Sequence, residues 1–364
     1  MPLKLSQNGC SVWVTSSTEL VLTPTRIALG KFDGVHLGHQ QVIKPIFRPN
    51  TNVVGGTVPG AMSEHPSAQE INSPLLDPTL ASSTSERVYS TVVTFNPHPQ
   101  EFFSGKPRAW LTPLDEKVQM LRSLGVEQLV LLPFDKELSS LPPDEFVEKI
   151  LVQQLKCQQI SVGQDFQFGR KRSGTAEDLK ALAESFGIPV TIVPLQTCMG
   201  ESCIATGERI STSLIRQHLD QGNIELANKL LGRRYTLIGS VVKGNQLGRT
   251  IGFPTANIQI PKQKFLPRFG VYAVRVKGLA EATDDTAFDC LGVMNIGVRP
   301  TVEGVYTTVE VHLFDWSGDL YCRQMVVELE KFLRPEQKFP SLEALKTQIQ
   351  QDCEVAKAFF STEC

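Results

Sequence analysis

The sequence predicts a doubly wound α/β domain followed by a small antiparallel β-barrel with a C-terminal helix. Two observations carry this. Up to about residue 232, apolar strand-length runs alternate with helix-spaced segments through short turns, the pattern of a parallel sheet covered on both faces. From Arg234 onward, β-rich segments separated by turns follow one another with no helix before residue 341.

In chain order, a lead-in holds one short strand near 11–14. Thr25-Arg-Ile-Ala-Leu29 is a buried strand bounded by Pro24 and Gly30. Helical spacing begins at Gln40. Residues 48–86 are rich in Pro, Ser, Thr, Gly and Asn and contain no Lys, so they read as a flexible surface insertion. Residues 88–95 form a strand that ends in Asn96-Pro-His-Pro99. A helix over 114–124 follows Thr112-Pro113, then a strand over 127–133, a helix over 143–155 and a strand over 159–162. Residues 176–186 are helical and 189–193 extended. Ser211-Thr-Ser213 caps a helix over 213–221, and 223–231 is a further helix. The barrel strands fall at 235–242, 270–276, 288–295, 306–313 and 324–332. The last helix, 341–360, carries Leu342, Leu345 and Ile349 on a face that packs on the barrel. The domain boundary lies near 232–234, giving units of 1–232 and 233–364.

Three stretches hold the chemistry. Gly30-Lys-Phe-Asp-Gly-Val-His-Leu-Gly-His39 sits on a strand-to-helix turn, where free backbone N–H groups favour an anion. His36 and His39 are three apart and share one side of the first helical turn. Phosphate handling, a metal pair, and a plain Gly-rich turn with two surface histidines all fit this spacing. In Gly244-Asn-Gln-Leu-Gly-Arg-Thr-Ile-Gly-Phe-Pro-Thr-Ala-Asn257, the glycines permit a loop that wraps phosphates with backbone N–H groups. Thr255 and Asn257 point the same way from an extended segment and offer hard oxygen ligands suited to Mg²⁺. A Gly-rich hairpin is the bland alternative. Glu310 alternates with Val309 and Val311. It is either part of a solvated face or, inside a barrel mouth, a general base toward a hydroxyl.

The composition bounds the rest. An apolar fraction of 41% with 20% charged residues is that of an ordinary globular chain, and a net charge of −2 argues against a nucleic-acid surface. No apolar run approaches a membrane span, and the N-terminus lacks the apolar stretch of a signal peptide. The eight cysteines are scattered with no C-x-x-C, the usage of a reduced, cytoplasmic protein.

Seven motifs in order resemble the bacterial bifunctional riboflavin kinase/FAD synthetases (FMN adenylyltransferases). They are Gly30-x-Phe-Asp-Gly-Val-His-x-Gly-His39, Thr94-Phe-x-Pro-His-Pro99, Val162-Gly-x-Asp-Phe-x-Phe-Gly169, Arg209-Ile-Ser-x-x-x-Ile-Arg216, Gly248-Arg-x-x-Gly-Phe-Pro-Thr-Ala-Asn257, Gly292-Val-x-Asn-Ile-Gly-x-Arg-Pro-Thr301 and Thr308-Val-Glu-x-His-Leu-Phe-Asp315. The resemblance implies a Rossmann-like nucleotidyltransferase domain that makes FAD and pyrophosphate from FMN and ATP. It also implies a barrel domain that makes FMN and ADP from riboflavin and ATP. It implies that Glu310 is the kinase base, that Thr255 and Asn257 hold Mg²⁺ and ATP with Gly248 and Gly252, and that Asn295 and Arg299 lie near. In the first domain, His36 and His39 would bind ATP phosphates. Gly30, Phe32, Asp33, Gly38, Asn96, His98, Asp165, Arg209, Ser211, Thr212 and Arg216 would surround nucleotide and flavin. The expected partners are riboflavin, FMN and ATP, with no nucleic acid and no membrane, in a monomer or weak homo-oligomer.

Three departures from the family pattern stand out. Ile210-Ser-Thr-Ser213 replaces the usual Ile-Ser-Ser-Thr and keeps its hydroxyls. Asn96 stands where many relatives have Asp, which removes a charge. Residues 48–86 have no close counterpart and are expected to be a non-catalytic surface loop. Two other functions compete: a kinase with an impaired adenylyltransferase half, and a flavin-binding protein without catalysis. The intact His36/His39 pair speaks against the first, and Glu310 with Thr255 and Asn257 against the second.

Overall fold

The structure is a computed structural model that describes residues 3–4, 12–47, 87–197, 207–244, 248, 251–278, 288–301 and 304–362. The expected insertion at 48–86 lies outside the described residues.

Strands β1 (Leu3–Lys4), β2 (Trp13–Thr15), β3 (Thr25–Leu29), β4 (Tyr89–Asn96), β5 (Gln128–Pro133) and β6 (Cys157–Gly163) come first. Strands β7 (Gln167–Phe168) and β8 (Gly174–Thr175) form a small hairpin, and β9 (Val190–Val193) completes the set. The main sheet runs β1-β2-β5-β4-β3-β6-β9, with β1 antiparallel and all other pairs parallel. Its central strands are buried on both sides, which is why they read as unbroken apolar runs. Alternate residues serve opposite layers. Ile27, Leu29, Val93, Val130 and Leu132 pack with Phe146, Ile150 and Leu179. Ala28, Val92, Leu129 and Leu131 pack with Ile43, Val118 and Leu121.

The covering helices are α1 (Leu37–Ile43), α2 (Pro99–Ser104), α3 (Leu114–Ser123), α4 (Lys136–Ser140), α5 (Pro143–Glu145, continued by a π-helical stretch over Phe146–Gln154) and α6 (Ala176–Glu184). The sequence had not marked α2, which is only six residues long. Strand order reverses at β3: β4 lies on one side and β6 on the other. That switch point opens a crevice beyond the carboxyl ends of the strands. The turns after β3, β4 and β6 all reach it.

Helices α7 (Thr212–Gln221) and α8 (Ile224–Leu231) lead into the barrel. Its strands are β10 (Tyr235–Val242), β11 (Ala256–Gln259), β12 (Gly270–Gly278), β13 (Asp289–Thr301), β14 (Gly304–Leu313) and β15 (Gln324–Pro335), closed in the order β10-β11-β14-β13-β12-β15. Strand β11, read from sequence only as an extended segment, is the sixth stave. The barrel interior shares one apolar cluster with α7 and α8: Leu237, Tyr272, Met294 and Val311 meet Ile215, Leu219 and Leu230.

The last helix, α9 (Leu342–Thr362), covers the outer face instead. Its packing face is Ile349, Cys353, Ala356 and Phe360 against Val271, Ala273 and Val293. Leu342, expected on that face, is 47% exposed, and the contact begins about two turns later, at Ile349. Arg334 on β15 forks onto Asp352 of α9, with Nε and Nη2 each donating at 2.8 Å to one carboxylate oxygen. Because Asp352 is nearly buried, removing its carboxylate leaves a guanidinium short of its partner. Asp352→Ala is expected to cost about 3 kcal/mol and to speed hydrogen exchange along α9 while leaving β3 to β6 protected.

Candidate active sites

The first site is built on a strained turn. After β3 the backbone is left-handed at Phe32 (φ 47°), Gly34 (φ 92°) and Val35 (φ 41°). Such conformations persist where the surroundings over-determine them, and here the buried Asp33 does so. Its Oδ1 accepts from Leu111 N at 2.8 Å and Thr112 N at 3.3 Å. Its Oδ2 accepts from Arg216 Nη2 at 2.9 Å. Thr212 Oγ1 donates to the Asp33 carbonyl at 2.9 Å, Gly34 N donates to Thr112 Oγ1 at 2.9 Å, and Arg233 Nη2 donates to the Gly34 carbonyl at 2.8 Å.

The turn delivers His36 as the N-cap of α1. Its Nδ1 accepts from His39 N–H at 3.2 Å, and the two rings stack with centroids 3.6 Å apart. A ring nitrogen that accepts carries no proton, so the neutral His36 has its proton on Nε2. His98 repeats the device. It caps α2, its Nδ1 accepts from Gln100 N–H at 3.0 Å, and Glu101 accepts from His98 N at 3.1 Å. Burial first, with nearby cations adding to it, pushes both His36 and His98 down to about 4; the cations are Arg209 and Arg233 at His36, and Arg108 and Lys31 at His98. Burial and His36 hold His39 well below its ordinary value. At neutral pH the site therefore presents uncharged imidazole donors within a ring of guanidinium and ammonium groups. His39 Nδ1 is buried with no hydrogen-bond partner among the described residues.

The other expected ligand groups divide. Asn96 is exposed at the end of β4, and Asp165 and Arg209 form an ion pair with both side chains about half exposed. These can face a ligand. Asp33, Ser211, Thr212 and Arg216 are instead committed to the protein. Ser211 Oγ caps α7 at Leu214 N, 3.2 Å, and Arg216 is shared between Asp33 and the Ala109 carbonyl. Phe32 is core at 1% exposure. Gly30 and Gly38 sit tight against the rings of Phe32 and His36, 3.2 Å from where a Cβ would stand.

Sequence reasoning missed several groups. Lys117 is 5% exposed, lies 4.9 Å from the centroid of Trp110, and is pulled down to about 8 by burial. Lys31 and Arg108 add charge at the same place. None of them belongs to a spaced motif. Phe102, Phe103 and Phe134 form an edge-to-face cluster beside His98, with centroids 5.2–5.8 Å apart, and Phe103 is 72% exposed. Two adjacent phenylalanines after a Pro-His-Pro turn were the available signal.

The second site is a row across three staves. Asn257 on β11 lies opposite Glu310 on β14, and Glu310 lies opposite Asn295 on β13. Their strand neighbours Ile258, Val309, Val311, Met294 and Ile296 fill the barrel interior, so the row faces outward. Glu310 is thus not inside a barrel mouth. It stands on the outer surface, beneath the β10–β11 hairpin. That hairpin is folded back tightly: Gly248 O accepts from Phe253 N at 2.8 Å, and Gly248 lies against Thr255 Oγ1, with 3.3 Å to a notional Cβ. A Cβ on Gly244 would overlap the Asn257 amide, so any other residue there would make that side chain shift. His312 Nδ1 donates to the Pro254 carbonyl at 2.9 Å and pins the segment leading to Thr255. Gly252 is left-handed (φ 90°) and exposed. Arg299 pairs with Tyr306 through the β13–β14 ladder; its side chain lies outside the described residues.

The donor set suits a hard cation. Thr255 Oγ1 and Asn257 Oδ1 supply hydroxyl and amide oxygen beside a Gly-lined loop. No cluster of three or more His, Cys, Asp or Glu side chains competes for a metal among the described residues.

Comparison with known proteins matches each half of the chain to a family. The riboflavin kinase family model matches residues 231–360, and the FAD synthetase family model matches 19–66 and 73–207. A Haemophilus influenzae bifunctional riboflavin kinase/FMN adenylyltransferase is 36% identical over 94% of this chain and 96% of its own. The chain belongs to the bifunctional riboflavin kinase/FMN adenylyltransferase family. Within this family the Escherichia coli K12 relative is 37% identical, covering 92% of each chain, and the Listeria monocytogenes relative is 33% identical over the same shares. A crystal structure from Streptococcus pneumoniae, described as a macrolide-efflux protein, superposes with a TM-score of 0.71 at 28% identity, covering 94% of this chain and 98% of that one. That likeness supports the fold. Among the described residues here, no helix is long and apolar enough to cross a membrane.

The histidines make a pH prediction. Their folded values lie below the ordinary 6.5, so an unfolded chain binds protons that the fold refuses. Stability is therefore expected to fall as pH drops from about 6.5 to about 4. His36→Gln should flatten that decline in urea unfolding followed across this range.

Proposed function

We propose that the chain carries out two successive reactions on a flavin. Riboflavin and ATP give FMN and ADP at the barrel's outer face. FMN and ATP then give FAD and pyrophosphate at the switch point of the parallel sheet. The division assigns adenylyl transfer to 1–232 and the kinase to 233–364. The observation that carries this reading is the register of Glu310 against Asn257. It sets a carboxylate beside an oxygen-donor loop, an arrangement that a flavin carrier would not need. The relatives named above carry both activities in their names.

In the kinase step the nucleophile is a neutral alcohol. Glu310 accepts the proton of the ribityl 5′-hydroxyl as its oxygen attacks the γ-phosphorus and ADP leaves. Thr255 and Asn257 would hold Mg²⁺, which when bound offsets the charge of the phosphates. His312 keeps Thr255 in place through Pro254. In the adenylyl step the FMN phosphate is already anionic, so no strong base is required. It attacks the α-phosphorus of ATP and displaces pyrophosphate. The Nε2–H groups of His36 and His98 donate to phosphate oxygens, and the surrounding cations stabilise the added charge. An incoming polyphosphate raises the affinity of these histidines for protons, so charge and donor strength grow together. The exposed ring of Phe103, backed by Phe102 and Phe134, offers the isoalloxazine an aromatic face.

Magnesium as the metal, a cytoplasmic setting and a monomeric or weakly associated state belong to the same proposal. One assay tests it: riboflavin, ATP and Mg²⁺ are incubated with the protein and the products separated. FMN and FAD together support the proposal. FMN alone leaves only the kinase half, and no product leaves only a binder. Glu310→Ala is expected to abolish FMN formation yet spare FAD formation from supplied FMN. The double change of His36 and His39 to Ala should do the reverse. Phe103→Ala is expected to raise KM for FMN about tenfold with KM for ATP nearly unchanged, measured by pyrophosphate release.

A further inference from the structure

The barrel half meets the surroundings of the adenylyl-transfer site at several points, and the most deeply buried of these side chains is a lysine. Lys264, in the connection between β11 and β12, is 4% exposed. Its ammonium donates to the Leu111 carbonyl at 2.8 Å, pairs with Glu116 of α3, and lies 4.5 Å from the centroid of the Tyr235 ring. The backbone on either side is laced to the same segment: Trp110 N donates to Gln263 O at 2.6 Å, and Phe265 N donates to Trp110 O at 2.8 Å. Arg216, while bonded to Asp33, also packs on the Phe265 ring at 4.7 Å.

The clamped residues are those that shape the histidine site. The Trp110 ring stands edge-on to His98, with centroids 5.5 Å apart, and supports Lys117. Leu111, whose carbonyl Lys264 holds, donates its own N–H to Asp33, the anchor of the turn that delivers His36. From Lys264 to the histidine turn there are thus two hydrogen bonds and one residue, Leu111. The pair itself is a poor device for stability alone. Burial pulls Lys264 down to about 8 and pushes Glu116 up, so desolvation opposes both charges. Replacing such a pair with apolar side chains is often neutral or stabilising.

We propose that Lys264, a residue of the barrel half, is a positioning residue for adenylyl transfer: it holds Trp110 and Leu111 against the Asp33 turn. The proposal rests on reading the first site as the FMN adenylyltransferase centre. Because Lys264 itself touches no substrate, its loss acts through geometry, and small misplacements of reacting groups are costly.

The test uses the full-length chain with Lys264→Met alone and combined with Glu116→Leu, so that the double variant removes both charges of the pair and leaves neither facing an empty partner position. Three quantities are read: pyrophosphate release from supplied FMN and ATP, ADP formation with riboflavin, and melting temperature. Lys264→Met is expected to lower adenylyl transfer about 10- to 100-fold, mainly in kcat, with the kinase within about twofold of the parent. The double variant should regain the melting temperature but not the adenylyl rate. Adenylyl transfer within about twofold of the parent in Lys264→Met, a parallel fall of both activities, or recovery of rate together with melting temperature in the double variant would each overturn the proposal. If the parent chain itself releases no pyrophosphate from FMN and ATP, the underlying reading fails, and this inference with it.

Discussion

The structure turns on the carboxylate of Asp33. A buried charge is tolerable only when it is paired and fully hydrogen-bonded. Asp33 meets that demand with two backbone amides from 111–112 and the guanidinium of Arg216. With Asp33 itself, these groups come from three separate parts of the chain. Satisfying the one group therefore fixes the strained turn, the segment before α3 and the start of α7 together. The left-handed backbone at Phe32 and Val35 is held by that convergence and by the complete burial of both side chains.

The two sites solve different chemical problems with different groups. At the switch point the attacking atom already carries charge, and the protein supplies neutral imidazole donors set among cations. Capping fixes their tautomers: each donates outward because its other nitrogen is occupied by a backbone N–H. On the barrel the attacking atom is uncharged, and a carboxylate stands ready beside oxygen ligands. The carboxylates near the histidines, Asp33 and Asp165, are each paired with an arginine, whereas a ring of cations around Glu310 would weaken it as a base.

Much of this was legible in the chain. Apolar runs located the parallel strands to within a few residues, and the motif spacing placed His36 and His39 together. What the sequence left open has physical causes. Alternation along β14 separates Glu310 from Val309 and Val311, but a period of two does not say which face is inside. Here both faces of the barrel wall carry apolar residues, because α9 covers the outer one. Motifs also do not distinguish groups that touch a ligand from groups that hold the site. Asp33, Ser211, Thr212 and Arg216 read as ligand contacts and are spent on the scaffold. Lys264 and Leu111 lie 153 residues apart, and no local pattern announces their contact. Trp110 and Lys117 gain their roles only through the same tertiary closure.

The apolar cluster shared by α7, α8 and the barrel interior has a consequence for anyone who would treat the two halves as modules. The chain passes between α8 and β10 without crossing a regular element, so the link looks like a natural place to cut. Severing it would leave Ile215, Leu219, Ile224 and Leu230 without the side chains they now meet. The freed first half would carry a greasy flank prone to self-association. A stand-alone version would need that flank rewritten in polar residues before its solubility matched that of the intact chain.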